Sequence, residues 1–175
     1  MGGTDEISTT SDLPRTPRGR VERWGMRAGV FALALIVLAG SVGLLGPKTG
    51  ETSAAAAGYQ LHVEYPAISR AGEPAPLHVR VEHAGGFDGP VQLALCDDLF
   101  DDLDFQSWYP TPSAETGDTS ELVYEFDPPD GEVFELSLDA RAAPGQFGEV
   151  EECTVTVVDG TVDLVSVSFT TWRMP

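Results

Sequence analysis

The chain has 175 residues, with 10 Lys and Arg against 28 Asp and Glu, a formal net charge of −18. That length predicts one domain with a tail, and that charge excludes nucleic acid as a partner, since phosphate contacts need Lys and Arg. Two cysteines exclude a disulfide-dense mini-scaffold and any four-cysteine metal centre, and a hydrophobic content of 42% excludes a wholly disordered chain.

The charge falls into three zones. Residues 1–27 carry five Arg and four acids, residues 28–45 carry no charge, and residues 46–175 carry five basic and 24 acidic residues. The first zone, polar and then Pro-bearing at Pro14 and Pro17, predicts a disordered cytoplasmic tail. The second, Ala28 to Leu45, predicts a transmembrane helix: its 18 residues, at a rise of about 1.5 Å each, span about 27 Å of a hydrocarbon core of about 30 Å. Arg15, Arg18, Arg20, Arg23 and Arg27 precede it, while only Lys48 follows closely. The positive-inside rule then puts the N-terminus in the cytoplasm and the acidic zone outside the cell membrane. A cleaved leader is the rival reading, because Ser53 to Ala57 offers small residues of the A-x-A kind. The run lies far beyond the apolar stretch for a signal peptidase, so an uncleaved anchor is preferred. Residues 46–58 (GPKTGETSAAAAG) read as a flexible linker.

Residues 59–175 alternate with period two between turn signals. The expected inward sets are Leu61, Val63 and Tyr65; Leu77, Val79 and Val81; Val91, Leu93 and Leu95; Leu122, Tyr124 and Phe126; Phe134, Leu136 and Leu138; Cys153, Val155 and Val157; and Val165, Val167 and Phe169. One apolar and one polar face per run predict antiparallel sheets buried on one side. Asp159-Gly160 between two β-branched runs predicts a tight hairpin. Seven strands over this length match an all-β, immunoglobulin-like antiparallel β-sandwich. The stretch Asp97 to Phe105 breaks the rhythm: Leu95, Leu99 and Leu103 recur at helical spacing, predicting a short amphipathic helix capped by Asp97 or Asp98.

The clustered carboxylates offer one candidate site. On a helix Asp97, Asp101 and Asp104 share an edge, and their repulsion favours a divalent cation such as calcium, although the EF-hand order is absent. His62 and His78 lie on the polar faces of early strands, where Glu64 or Glu82 would complete a ligand set if the strands pair. Cys96 and Cys153 stand 57 residues apart in the zone placed outside, and an oxidising compartment favours a disulfide between them. Against it, alternation puts Cys96 on a polar face and Cys153 on an apolar one, so their pairing is left open. No G-x-S-x-G or phosphate-cradling Gly-rich loop occurs, and no His stands in a turn beside a nucleophile, so no catalytic residue is proposed.

The phrase Arg70 to Val81 (RAGEPAPLHVRV) is similar to the opening of bacterial extracytoplasmic Ig-like modules, and Asp127 to Gly131 followed by Phe134 to Leu138 looks like their later strand pair. The plan of one N-terminal membrane helix and then one such module resembles membrane-anchored envelope proteins of the actinobacterial type. The resemblance implies an Ig-like fold and an accessory or adhesive role, with no catalytic residues. The expectation is therefore a membrane-anchored interaction module, accessory to another envelope protein. The alternative is a divalent-cation or small-ligand domain using residues 97–104. A third reading takes the acid excess as a repulsive surface suited to high salt.

Overall fold

Arg20–Ser41 form helix α1, whose residues are exposed along almost its whole length. The computed structural model describes residues 19–43, 46–117, 121–145, 148 and 150–174; the side chains of Arg20, Asp101, Asp102, Val150 and Glu151 are outside that description. Val21–Ser41 is long and apolar enough to cross a membrane by length and composition. Between Ala28 and Gly40 its side chains are apolar all round, with Leu33 66% and Ile36 61% exposed. The helix begins eight residues before the expected start at Ala28, so Arg20 to Arg27 are helical and not part of a disordered tail. Nothing between Arg20 and Arg27 but Gly25 disfavours a helix. Residues 1–18 of the expected tail, and Leu44 and Leu45 of the expected span, lie outside the described residues.

The chain divides into two units, Met1–Gly46 and Pro47–Pro175. The second contains β1 (Lys48–Ala56), β2 (Tyr59–Arg70), β3 (Leu77–His83), β4 (Val91–Cys96), α2 (Asp98–Asp102), β5 (Leu103–Tyr109), β6 (Ala114–Gly117), β7 (Glu121–Phe126), β8 (Val133–Ala142), β9 (Val150–Asp159) and β10 (Val162–Met174). They form one curled sheet in the order β5-β8-β3-β2-β10-β9-β4-β7-β6, with β1 paired to β2.

The curl has a local cause in β2. Its first half, Tyr59 to Glu64, pairs antiparallel with β3, while Ile68 to Arg70 pair in parallel with Trp172 to Met174 of β10. Pro66 cannot donate to a ladder, and the register with β1 slips between Lys48 and Thr49, which oppose Ile68 and Pro66. The strand bends there and passes from one half of the sheet to the other. One core fills the space enclosed: Leu61, Val63, Leu77, Val79, Val81, Leu136 and Leu138 from one half, Leu93, Leu95, Phe126, Val155 and Val157 from the other, all at most 2% exposed. Of the expected inward residues, Tyr65 and Leu122 are only half-buried, and Tyr65 stacks on Phe169 with centroids 4.5 Å apart.

Three expectations are corrected here. The 46–58 linker is mostly strand: Lys48–Ala56 pair with β2 along their whole length, because β2 offers a full ladder that outweighs the weak strand propensity of Gly and Ala. The β2–β10 ladder is parallel where antiparallel pairing alone was expected, and the described residues beyond residue 58 form nine strands, not seven. The helix expected over 97–105 is one turn, Asp98–Asp102, after which Leu103–Tyr109 pair with β8. Leu99 and Leu103 are both buried, but by different elements.

Candidate functional site

Strands β1, β2, β3, β8 and β5 stand side by side, so their outward residues form rows that register alone fixes. One row reads Glu51, Glu64, His78, Ser137 and Tyr109. The next reads Ser53, His62, Arg80 and Glu135, and a third Ala55, Gln60, Glu82 and Val133. The rows exist because each strand spends its apolar parity on the core and leaves polar residues opposite.

Arg80 is the centre of this face. Its Nε donates to Glu82 Oε1 at 2.8 Å on its own strand, and its Nη1 donates to Glu135 Oε1 at 2.5 Å across the ladder. Those two carboxylates hold the guanidinium above its ordinary pKa, Glu82 contributing most. His62 Nε2 lies 3.9 Å from Glu64 Oε1. Around these groups lie two shallow, open hollows that share His62 and Arg80. One, of about 510 Å³, runs over the small Ser53 and Ala55 of β1; the other, of about 460 Å³, runs to Ser137 and Tyr109. Tyr109 is 81% exposed at the rim. An open trough with an amphipathic ring at its edge suits a protein segment, whereas small-molecule sites enclose most of their ligand.

The sequence-derived site residues are placed as follows. His62 and Glu64 of β2 and His78 of β3 share the face, but no group of three or more His, Cys, Asp or Glu among the described residues is arranged to hold a metal ion. Asp97 precedes α2 and makes no side-chain capping bond, the side chain of Asp101 is outside the described residues, and Asp104 lies on β5, where its Oδ2 accepts from Gln106 Nε2 at 3.1 Å. Asp104 therefore does not share the helix edge that the spacing of Asp97, Asp101 and Asp104 predicts. Cys96 and Cys153 are joined by a disulfide, with Cα atoms 5.5 Å apart. The bridge links neighbouring strands, β4 and β9, at the point where their ladder ends at Leu95 and Val155. Cys96 escapes the polar parity of its strand because the chain leaves that ladder to enter α2. Arg80, Glu135, Ser137 and Tyr109 were not singled out by sequence reasoning, although alternation marks the first three as outward.

Beneath the edge strand β6, the Tyr124 phenol is pushed up to about 12, first by burial and then by Glu115, whose carboxylate accepts its hydrogen bond. A folded-state value above the unfolded one makes stability fall as pH rises from about 10 through 12. Titrating absorbance at 295 nm is expected to show one of the four tyrosines ionising near that upper value, and Tyr124→Phe to remove that step.

No protein-family model matches the chain, and no curated protein matches it. Among solved structures the chain is similar to a cohesin module from a Clostridium perfringens family 33 glycoside hydrolase, at 8% identity and a TM-score of 0.43 over 74% of this chain and 98% of the module. It is similar to AvmM, which catalyses macrocyclisation in alchivemycin A biosynthesis, at 14% identity and a TM-score of 0.38 over 72% of this chain and 98% of that one. A third similarity is to the cohesin–dockerin complex Coh-OlpC–Doc435 from Clostridium thermocellum, at 16% identity and a TM-score of 0.32 over 61% of this chain and 82% of that one.

Proposed function

We propose that this chain is a membrane-anchored, extracytoplasmic interaction module of β-sandwich type, accessory to another envelope protein, with the outer face of β1-β2-β3-β8-β5 as its docking surface. The observation that carries the reading is the trough centred on Arg80 and rimmed by Tyr109. Tyr and Arg are the side chains that most often dominate protein interfaces, because each offers area and directed hydrogen bonds together. The helix supports the anchor, and the five Arg residues between positions 15 and 27, ahead of its uncharged stretch, against Lys48 alone close after it favour a cytoplasmic N-terminus. An occupant of this face is an extended segment of the partner, since the trough runs across the strands and is too open to hold a small molecule.

The test is photo-crosslinking of the full-length protein in native membranes. A crosslinker placed at Tyr109 or His78 is expected to capture the same membrane protein, while one at Ser166 or Ser168, on the outward side of β10, captures nothing above background. Tyr109→Ala with Arg80→Glu is expected to cut the yield about tenfold or more, the scale of an interface hot spot. Equal capture from both faces, or a yield indifferent to the double substitution, overturns the docking surface. A form lacking residues 1–45 that still captures the partner assigns recognition to the sheet, and loss on that deletion assigns it to the helix.

A further inference from the structure

A second concavity lies at one end of the sheet and is of a different kind. It is a cleft of about 280 Å³ between the β3–β4 loop and the β9–β10 hairpin. Its floor is the edge of the core: Val91, Val157 and Leu164. One wall is aromatic. Tyr59 and His83, paired across the β2–β3 ladder, stack with centroids 4.1 Å apart and planes 13° from parallel. Phe87 tilts against both, at 6.3 Å from Tyr59 and 6.0 Å from His83. Asp88 and Asp159 line the same cleft with exposed carboxylates, and none of the residues lining it is Lys or Arg.

The walls are held in place before any ligand arrives. His83 Nδ1 lies 2.6 Å from the Gly86 carbonyl oxygen, so that nitrogen carries the hydrogen and donates it. The turn that allows this needs Gly85 and Gly86, at φ +100° and +84°, values a side chain would strain. On the opposite wall Gly160 N–H donates to Gln92 Oε1 at 3.0 Å, and Gln92 Nε2 donates to Glu125 Oε2 at 3.0 Å. That chain of bonds fixes the hairpin carrying Asp159. The cleft is thus concave and preformed, lined by apolar and polar groups in comparable measure, and its charged groups are of one sign.

We propose that this cleft binds a small organic monocation, an ammonium group on a short apolar body. At roughly 30 Å³ per water-sized group the volume admits about nine non-hydrogen atoms. The apolar body lies on Val91, Val157 and Leu164. The cationic head lies against the aromatic rings, whose faces attract positive charge, and within reach of Asp88 and Asp159. A neutral sugar would use the rings but leave two carboxylates uncompensated, and an anion would meet only repulsion. The −18 net charge of the chain raises the local concentration of cations at the mouth. The assignment does not rest on the docking face, which lies on other residues.

The probes are choline and its uncharged isostere 3,3-dimethylbutan-1-ol, titrated by calorimetry and by NMR into the full chain in non-ionic detergent. Choline is expected to bind saturably at one site, with shifts confined to residues 58–60, 83–92 and 157–164, and the isostere to bind at least about tenfold more weakly. Asp88→Asn with Asp159→Asn, and separately Phe87→Leu, are expected to weaken choline by a similar factor. Asp127→Asn with Glu121→Gln, which removes the same charge elsewhere, is expected to change it less than twofold. A circular dichroism melt of each variant separates lost binding from lost folding. Equal binding of the isostere, preference for methyl glucoside over choline, or non-saturating shifts spread over the acidic surface each overturns the proposal.

Discussion

Replacing Phe126 by Ala is expected to destabilise the sheet unit by about 3–5 kcal/mol, the range for a buried aromatic truncated to a methyl group. Phe126 on β7 is fully buried, and its ring meets Phe134 of β8 at 5.2 Å and Trp108 of β5 at 6.3 Å. It is therefore one of the side chains through which β4 and β7 touch β5 and β8, elements at opposite ends of the strand order. The neighbouring rings have their own partners: Trp108 meets Tyr124 at 4.4 Å, and Phe100 meets Phe105 at 4.8 Å. They cannot collapse into the space without giving those up, so the cavity persists and the cost lies toward the upper end. Domains of this size are stable by about 5–15 kcal/mol, so the loss is a large share of the whole. Urea unfolding of Phe126→Ala and Phe126→Leu is the measurement. Leu refills much of the volume and is expected to cost less than half as much. Equal small losses in both would mean that the two halves are not held together through this cluster.

Much of this core is readable in the sequence, because period-two alternation assigns Val79, Leu93, Leu136 and Val155 to the inside without knowledge of pairing. The failures share one cause: the deciding contact comes from far along the chain. Lys48–Ala56 look like a linker by composition, and β2 makes them a strand. Leu99 and Leu103 are spaced as on a helix, yet Leu103 is recruited by β8, opposite Ala142. Cys96 has the wrong parity for burial until the end of its ladder is seen. The proposed docking face was half legible. His62, Glu64, His78 and Glu82 can be marked as outward, but which rows they form with Arg80, Glu135 and Tyr109 depends on a sheet order that local sequence does not carry. The cleft was not legible at all, because Tyr59, Phe87 and Asp159 come from β2, the β3–β4 loop and β9.

The disulfide gives the second large effect, and it acts on a different state. Closing a loop between residues 57 apart removes chain entropy from the unfolded ensemble worth about 4 kcal/mol on the loop-entropy account. Removing the bridge by Cys96→Ser with Cys153→Ser is expected to lower stability by about 2–4 kcal/mol, the lower figure applying if the unfolded chain keeps residual structure. For a unit of this length each kcal/mol moves the melting temperature by about 3–5 °C, so a fall of about 6–20 °C follows. Reduction with a thiol is expected to reproduce it, and the reduced wild-type and the double variant should melt together within a few degrees. The bridge sits where β4 leaves β9 for α2, so its loss also releases the turn that carries Leu99 into the core. Proteolysis of the reduced protein should therefore begin within residues 97–104 before the sheet as a whole unfolds. If the two variants melt with the oxidised wild type and this segment is no more readily cut, the bridge adds nothing to what the β4–β9 ladder already holds.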